Sequence, residues 1–121
     1  LDYPAELLEM IVVSDGSTDG TDALVSAFPC PRVRLIRQEP RQGKATALGV
    51  GFREAKFEML VLTDANVVFA PDAIRQLMRH FADPQVGVVT GRVHLLDEKE
   101  GYAQAESAYY RYERFLQTSE A

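Results

Sequence analysis

The apolar positions of this chain fall into short blocks, and the blocks alternate in kind. Leu8 to Val13 is nearly continuous, as expected of a strand buried on both faces. A small-polar stretch from Ser14 to Thr21 follows, and a short helix is predicted over about Asp19 to Phe28, with Ser17 or Thr18 as its cap and Pro29 as its terminator. "RVRLIR", residues 32 to 37, alternates basic and apolar positions and predicts a half-buried strand. "EPRQG" is a turn, and Gly43 to Phe57 predicts a helix with Ala45, Leu48, Phe52 and Ala55 on its apolar face. Gly49 and Gly51 lie inside that helix, which implies either close packing on a sheet or backbone approach to a ligand.

"MLVLTD", residues 59 to 64, predicts a second buried strand. Pro71 suits a first helical position, and Ile74, Leu77, Met78 and Phe81 form an i, i+3, i+4, i+7 stripe on the helix it opens. "VGVVTGRVHLL" predicts one or two further strands with a break near Gly91. Tyr102 to Ser119 predicts a last helix, lined by Ala105, Ala108, Tyr109, Tyr112, Phe115 and Leu116. Strands alternating with helices at this spacing define an α/β domain with a mainly parallel sheet and right-handed crossovers. Ligands of such sheets bind beyond the carboxyl ends of the strands. The loops after Val13 and after Leu62 both lie at such ends, so they can line one crevice.

The 121 residues suffice for one domain, and no repeat, linker or low-complexity tract divides them. Thirteen basic against 18 acidic residues, a net charge of −5, argue against nucleic acid as a partner. Cys30 is the only cysteine, so no internal disulfide forms and a reducing, cytoplasmic setting is expected. No apolar run approaches the roughly 20 residues of a membrane helix. The chain opens on Leu1 and enters its first strand at once, so it reads as a segment of something longer.

Several familiar motifs fail. Asp15, Ser17, Asp19 and Gly20 imitate an EF-hand loop, but Ser26 stands where its bidentate Glu belongs. "GKAT" resembles the end of a P-loop, yet Gln38 occupies the position of its first glycine. "GVG" at 49 to 51 lacks the third glycine of a dinucleotide fingerprint, where Glu54 stands. His80 and His94 have no partner at metal-ligand spacing.

One constellation survives. Asp15 closes one strand, Asp64 closes another and is followed by Ala65 and Asn66, and Arg41 and Lys44 lie at the helix start between them. Taken singly, Asp15 and Asp19 could cap a helix and Asp64 could begin a turn. Taken together, they suit a ligand that offers both hydrogen-bond donors and negative charge, such as a nucleotide diphosphate. Its base and ribose donate to carboxylates, and its diphosphate takes Lys, Arg, helix-terminal N–H groups and a divalent ion.

"IVVSDGSTDGT", "RQGKATALGVGF", "VLTDANVVFAPDAI" and "VGVVTGRV", in this order and spacing, resemble family 2 inverting glycosyltransferases of the GT-A fold over nearly the whole chain. The resemblance implies an incomplete, Rossmann-like GT-A nucleotide-sugar-binding domain over residues 1–121. It also implies transfer of a sugar from a nucleotide-diphosphate donor, commonly a UDP-sugar, to an acceptor hydroxyl with inversion. By the resemblance, Asp15, with Gly16 beside it, contacts the base; Lys44 and Arg41 lie near the nucleotide; and Asp64 and Asn66 take the places of a D-x-D motif that meets ribose and a diphosphate-bound Mg²⁺ or Mn²⁺. Asn66 replaces the usual second Asp, which implies weak metal affinity unless the diphosphate helps. Gly49 stands where the family often has Asn.

The family's first strand and its later general base are expected outside this chain, since "LLDEKEG", with Asp97, Glu98 and Glu100, reads as a solvated turn. Open sheet edges would then invite self-association, and the parent protein could lie at the cytoplasmic face of a membrane. A non-catalytic nucleotide-sugar-binding module, a structural or interaction domain built on the aromatic last helix, and a nucleotidyltransferase are the alternatives.

Overall fold

The computed structural model describes residues 1–93. The predicted helix over Tyr102 to Ser119, the end of "VGVVTGRVHLL", His94, and Asp97, Glu98 and Glu100 lie outside the described residues.

A 3₁₀ turn at Ala5–Leu7 leads into strand β1, Met10–Asp15. Helix α1, Thr21–Ser26, connects it to strand β2, Val33–Gln38. The two strands pair in parallel, from Met10 opposite Val33 to Asp15 opposite Gln38. Helix α2 runs over Lys44–Glu54, and helix α3 over Ala73–Met78 continues into a 3₁₀ turn at Arg79–Ala82. The fold class is therefore α/β with parallel pairing, as the alternation of blocks predicts.

The strand pleat divides the work at the end of β1. Successive side chains point to opposite faces. Val13 and Asp15 face α2, where a Cβ on Gly51 would lie 3.7 Å from Val13 Cγ2. That is an ordinary contact distance, so the packing of α2 on the sheet does not require a glycine at position 51. Ser14 faces the other way, toward α1 and Asp22. The apolar face of α2 is turned relative to the prediction: Ala47, Leu48, Gly51 and Ala55 are partly covered, whereas Ala45 and Phe52 are exposed.

Both first helices are shorter than their patterns imply, and in each case a side chain sets the limit. Asp19 Oδ1 accepts the backbone N–H of Thr21 at 3.1 Å and its hydroxyl at 2.6 Å. Gly20 takes a left-handed φ of 88° and stands as the cap in place of Ser17 or Thr18. At the far end of α2, Lys56 N–H donates to Glu9 Oε1 at 2.6 Å and Arg34 donates to the Glu54 carbonyl at 2.6 Å. These bonds draw the chain out of the helix before Phe57.

The stripe on α3 is as predicted: Ile74 is buried, and Leu77, Met78 and Phe81 are partly covered. Two strand predictions are corrected. Residues 59 to 64 and 86 to 93 form no strand, and Leu60, Val61, Leu62, Val88 and Val93 are exposed. A strand takes its hydrogen bonds from a neighbour. Among the described residues, no backbone hydrogen bond joins 59 to 63 to β1 or β2, and the sheet has two strands.

Candidate functional site

The candidate site is built around the entry to α2. Gly43 holds a left-handed φ of 92° just before the helix, where the Gln42 and Gly43 amides turn back toward the end of β1. Asp15 meets them there. Its Oδ1 accepts the Gln42 N–H at 2.8 Å and its Oδ2 the Gly43 N–H at 2.8 Å. Gln38 Nε2 adds a third donor to Oδ1 at 2.6 Å, and Arg41 Nε lies 3.8 Å from Oδ2. The Gln42 amide above all, with the Gly43 amide, Gln38 and Arg41, holds this carboxyl below its ordinary range. Asp15 therefore does not cap α2, whose first residue is Lys44; its bonds to the Gln42 and Gly43 amides and to Gln38 tie both strand ends to the turn that leads into the helix and carries the cations.

Gly16 follows at a left-handed φ of 67°, and a Cβ added to it would meet Arg41 Cβ at 3.4 Å. The polar loop thus runs directly beside Arg41. On the opposite face of the sheet, Arg37 secures the same loop. It donates to the Ser17 carbonyl at 3.1 Å, to Asp22 Oδ2 at 2.5 Å and to Glu39 Oε2 at 2.9 Å. These partners hold the guanidinium firmly protonated. The Ser14 hydroxyl, then Arg37, hold the Asp22 carboxyl low. No hydrogen bond of ordinary geometry joins Ser14 to Asp22, for Ser14 Oγ and Asp22 Oδ1 are both buried without one.

Asp64 reaches the site although its segment forms no strand. Lys44 Nζ donates to Asp64 Oδ1 at 2.6 Å. Both side chains stay open to solvent, at 72% and 61% exposure. Val67 N–H closes a turn on the Asp64 carbonyl at 3.2 Å, and Asn66 lies exposed within that turn. Among the described residues, no group of three His, Cys, Asp or Glu side chains gathers to hold a metal. The two candidate donors, Asp64 and Asn66, are both oxygen ligands. That chemistry suits Mg²⁺ or Mn²⁺, and Mg²⁺ commonly takes one or two protein ligands and fills its shell with phosphate and water.

Asp15, Gly16, Arg41, Lys44 and Asp64 thus gather around one helix start, and Asn66 follows Asp64 in its turn. Pattern reading missed Gln38, a residue only 7% exposed, as a member of the group. The available signal was its place opposite Asp15, which appears only once the strands are registered.

The chain belongs to glycosyl transferase family 2, whose family model matches residues 1–120. It is 32% identical over 96 residues to the glycosyltransferase GlyG of Streptococcus pneumoniae serotype 4, a match covering 78% of this chain and 32% of that protein. It is 29% identical over 112 residues to the poly-beta-1,6-N-acetyl-D-glucosamine synthase of Staphylococcus epidermidis, covering 91% of this chain and 27% of the synthase. It is 37% identical over 71 residues to the succinoglycan biosynthesis protein ExoO of Rhizobium meliloti, covering 59% and 20%. The chain spans about a third or less of the length of these relatives. No solved structure gives a significant match.

Proposed function

We propose that this chain forms the donor side of a glycosyltransferase that moves a sugar from a nucleotide-diphosphate donor to an acceptor hydroxyl with inversion, assisted by a divalent metal. One observation carries the reading: the turn into α2 receives Asp15 on the Gln42 and Gly43 amides, and the first residue of α2, Lys44, receives Asp64, so both acidic tips meet at one place. In this reading Asp15 accepts from the base, with Gly16 leaving the loop open beside it. Lys44 and Arg41 neutralise the diphosphate, and Asp64 accepts from the ribose.

The lone pairs of Asp15 favour uracil as the base. Oδ1 already takes two donors and Oδ2 takes one. One further acceptor position remains, on Oδ2. Uracil offers a single ring N–H to fill it. Guanine approaches a carboxylate through two adjacent donors and needs both oxygens.

Asp64 and Asn66 are the residues that would hold Mg²⁺ or Mn²⁺. When bound, the ion offsets charge on the diphosphate as it leaves. Lys44 and Arg41 do the same through charge-assisted hydrogen bonds. The Lys44–Asp64 pair must open to admit the ligand. An exposed ion pair of this kind is worth about 0–1 kcal/mol, so opening it costs little. The acceptor's proton needs a carboxylate base, a role the reading gives to no described residue.

The same proposal includes self-association through open sheet edges, which sedimentation at high concentration tests, and a cytoplasmic location. Among the described residues no helix is long and apolar enough to cross a membrane. The relatives' names add polysaccharide synthesis as the setting for the parent activity.

A thermal-shift panel of nucleoside diphosphates, with and without Mn²⁺, tests the reading. UDP at 100 times its Kd should stabilise the native chain by about 2.7 kcal/mol. Asp15→Ala and Asp64→Ala should lose most of that shift. Equal shifts in all three proteins would remove the site.

A further inference from the structure

We infer that Gln38 is a positioning residue for nucleotide binding: its buried side-chain amide fixes the orientation in which Asp15 meets the base. The inference rests on the nucleotide-sugar reading of the site.

Gln38 is the last residue of β2 and stands opposite Asp15 in the parallel register. Residues so paired present their side chains to the same face. The residue is 7% exposed, and Nε2 donates to Asp15 Oδ1 at 2.6 Å. Its other end has no such outlet, because Oε1 is buried without a hydrogen-bond partner. A buried acceptor left unpaired is costly, whereas an apolar side chain of similar size incurs no such cost. What the glutamine adds over such a residue is the donor to Asp15.

That donor differs in kind from the other two. The terminal torsion of an aspartate is broad, so the carboxylate plane is set by its partners. Gln42 and Gly43 supply theirs from an exposed turn. Gln38 supplies its own from a strand whose backbone is locked in the ladder. It therefore serves as the rigid reference for the carboxylate and occupies the inner side of Oδ1, leaving Oδ2 toward the ligand. With Oε1 buried, Gln38 acts through Asp15 and not by touching the nucleotide.

The test uses Gln38→Met, similar in size but without a donor, and Gln38→Asn, which keeps the amide but is one methylene too short to reach. Calorimetric titration with UDP reads binding, and the amide resonances of Gln42 and Gly43 in the ligand-free chain read the position of Asp15. Both variants should bind UDP roughly tenfold more weakly and shift those two resonances, while Gln38→Met keeps or raises the melting temperature. Affinity equal to that of the unsubstituted chain, or unmoved Gln42 and Gly43 resonances, would overturn the inference alone. An unsubstituted chain that fails to bind UDP would overturn the nucleotide-sugar reading and this inference with it.

Discussion

Lys44 Nζ lies 2.6 Å from Asp64 Oδ1, although 20 residues separate them and the segment bearing Asp64 forms no strand. One residue before Lys44, the Gly43 amide is bonded to Asp15. A single helix start therefore gathers two acids that are far apart along the chain, one through its backbone and one through its first side chain. In the proposed reading, a ligand entering there would meet Asp15, held by three hydrogen bonds, and Asp64, held in an exposed ion pair.

Replacing Lys44 by Met separates binding from stability. Both partners of its ion pair are more than half exposed. The fold should change by less than ~1 kcal/mol, while UDP affinity falls by roughly tenfold or more with the loss of a charge-assisted phosphate contact. Chemical denaturation and calorimetric titration of the variant read the two quantities. A large stability loss with unchanged affinity would reverse the assignment.

Asp15 should make the chain acid-sensitive. Its carboxyl is held below the ordinary 3.8, chiefly by the Gln42 amide. A depressed carboxyl contributes its full stability above the unfolded value and loses it as pH falls through the folded one. The melting temperature should therefore fall below about pH 4, and Asp15→Asn should flatten that limb. Asp19, Asp22 and Glu39 are held low as well, so part of the slope should remain. Melting curves from pH 7 to pH 2 check this; an unchanged acid limb in Asp15→Asn contradicts it.

Gly51 within α2 and Gly43 just before it should respond in opposite directions. A Cβ on Gly51 would make an ordinary 3.7 Å contact with Val13, so Gly51→Ala should stabilise the chain by about 0.5–1 kcal/mol through helix propensity. Gly43 holds a φ of 92° with nothing near its would-be Cβ. Gly43→Ala should cost about 1–3 kcal/mol through backbone strain alone. Urea midpoints of the two variants measure both effects.

Metal binding should depend on the nucleotide. Asp64 and Asn66 offer too few ligands to hold a hard cation on their own, and an amide oxygen lacks the charge of a second carboxylate. Mn²⁺ titrated into the ligand-free chain should give little heat, and markedly more once UDP is present. Tight Mn²⁺ binding without nucleotide would contradict the division of ligands proposed above.

Much of this site was legible in the sequence, because local chemistry produces it. An apolar run ending in Asp15 predicts an acid at a strand tip, and a helix opening on "GKA" places Lys44 at its start. The strand predicted over 59 to 64 failed for a different reason. Apolar periodicity reports a tendency to extend, but the ladder needs a partner, and among the described residues that run has none. Gln38 was invisible for a related cause. Its importance lies in its register with Asp15, which belongs to the pairing of two segments and to neither alone.

The most direct test of the convergence at α2 is an amide-resonance titration of the chain with UDP in the presence of Mg²⁺. Perturbations at Gly16 and Gly43 and at Asp64 to Asn66 should follow one saturation curve with a single Kd. Changes confined to one of these two groups, or two separate curves, would contradict a common nucleotide site.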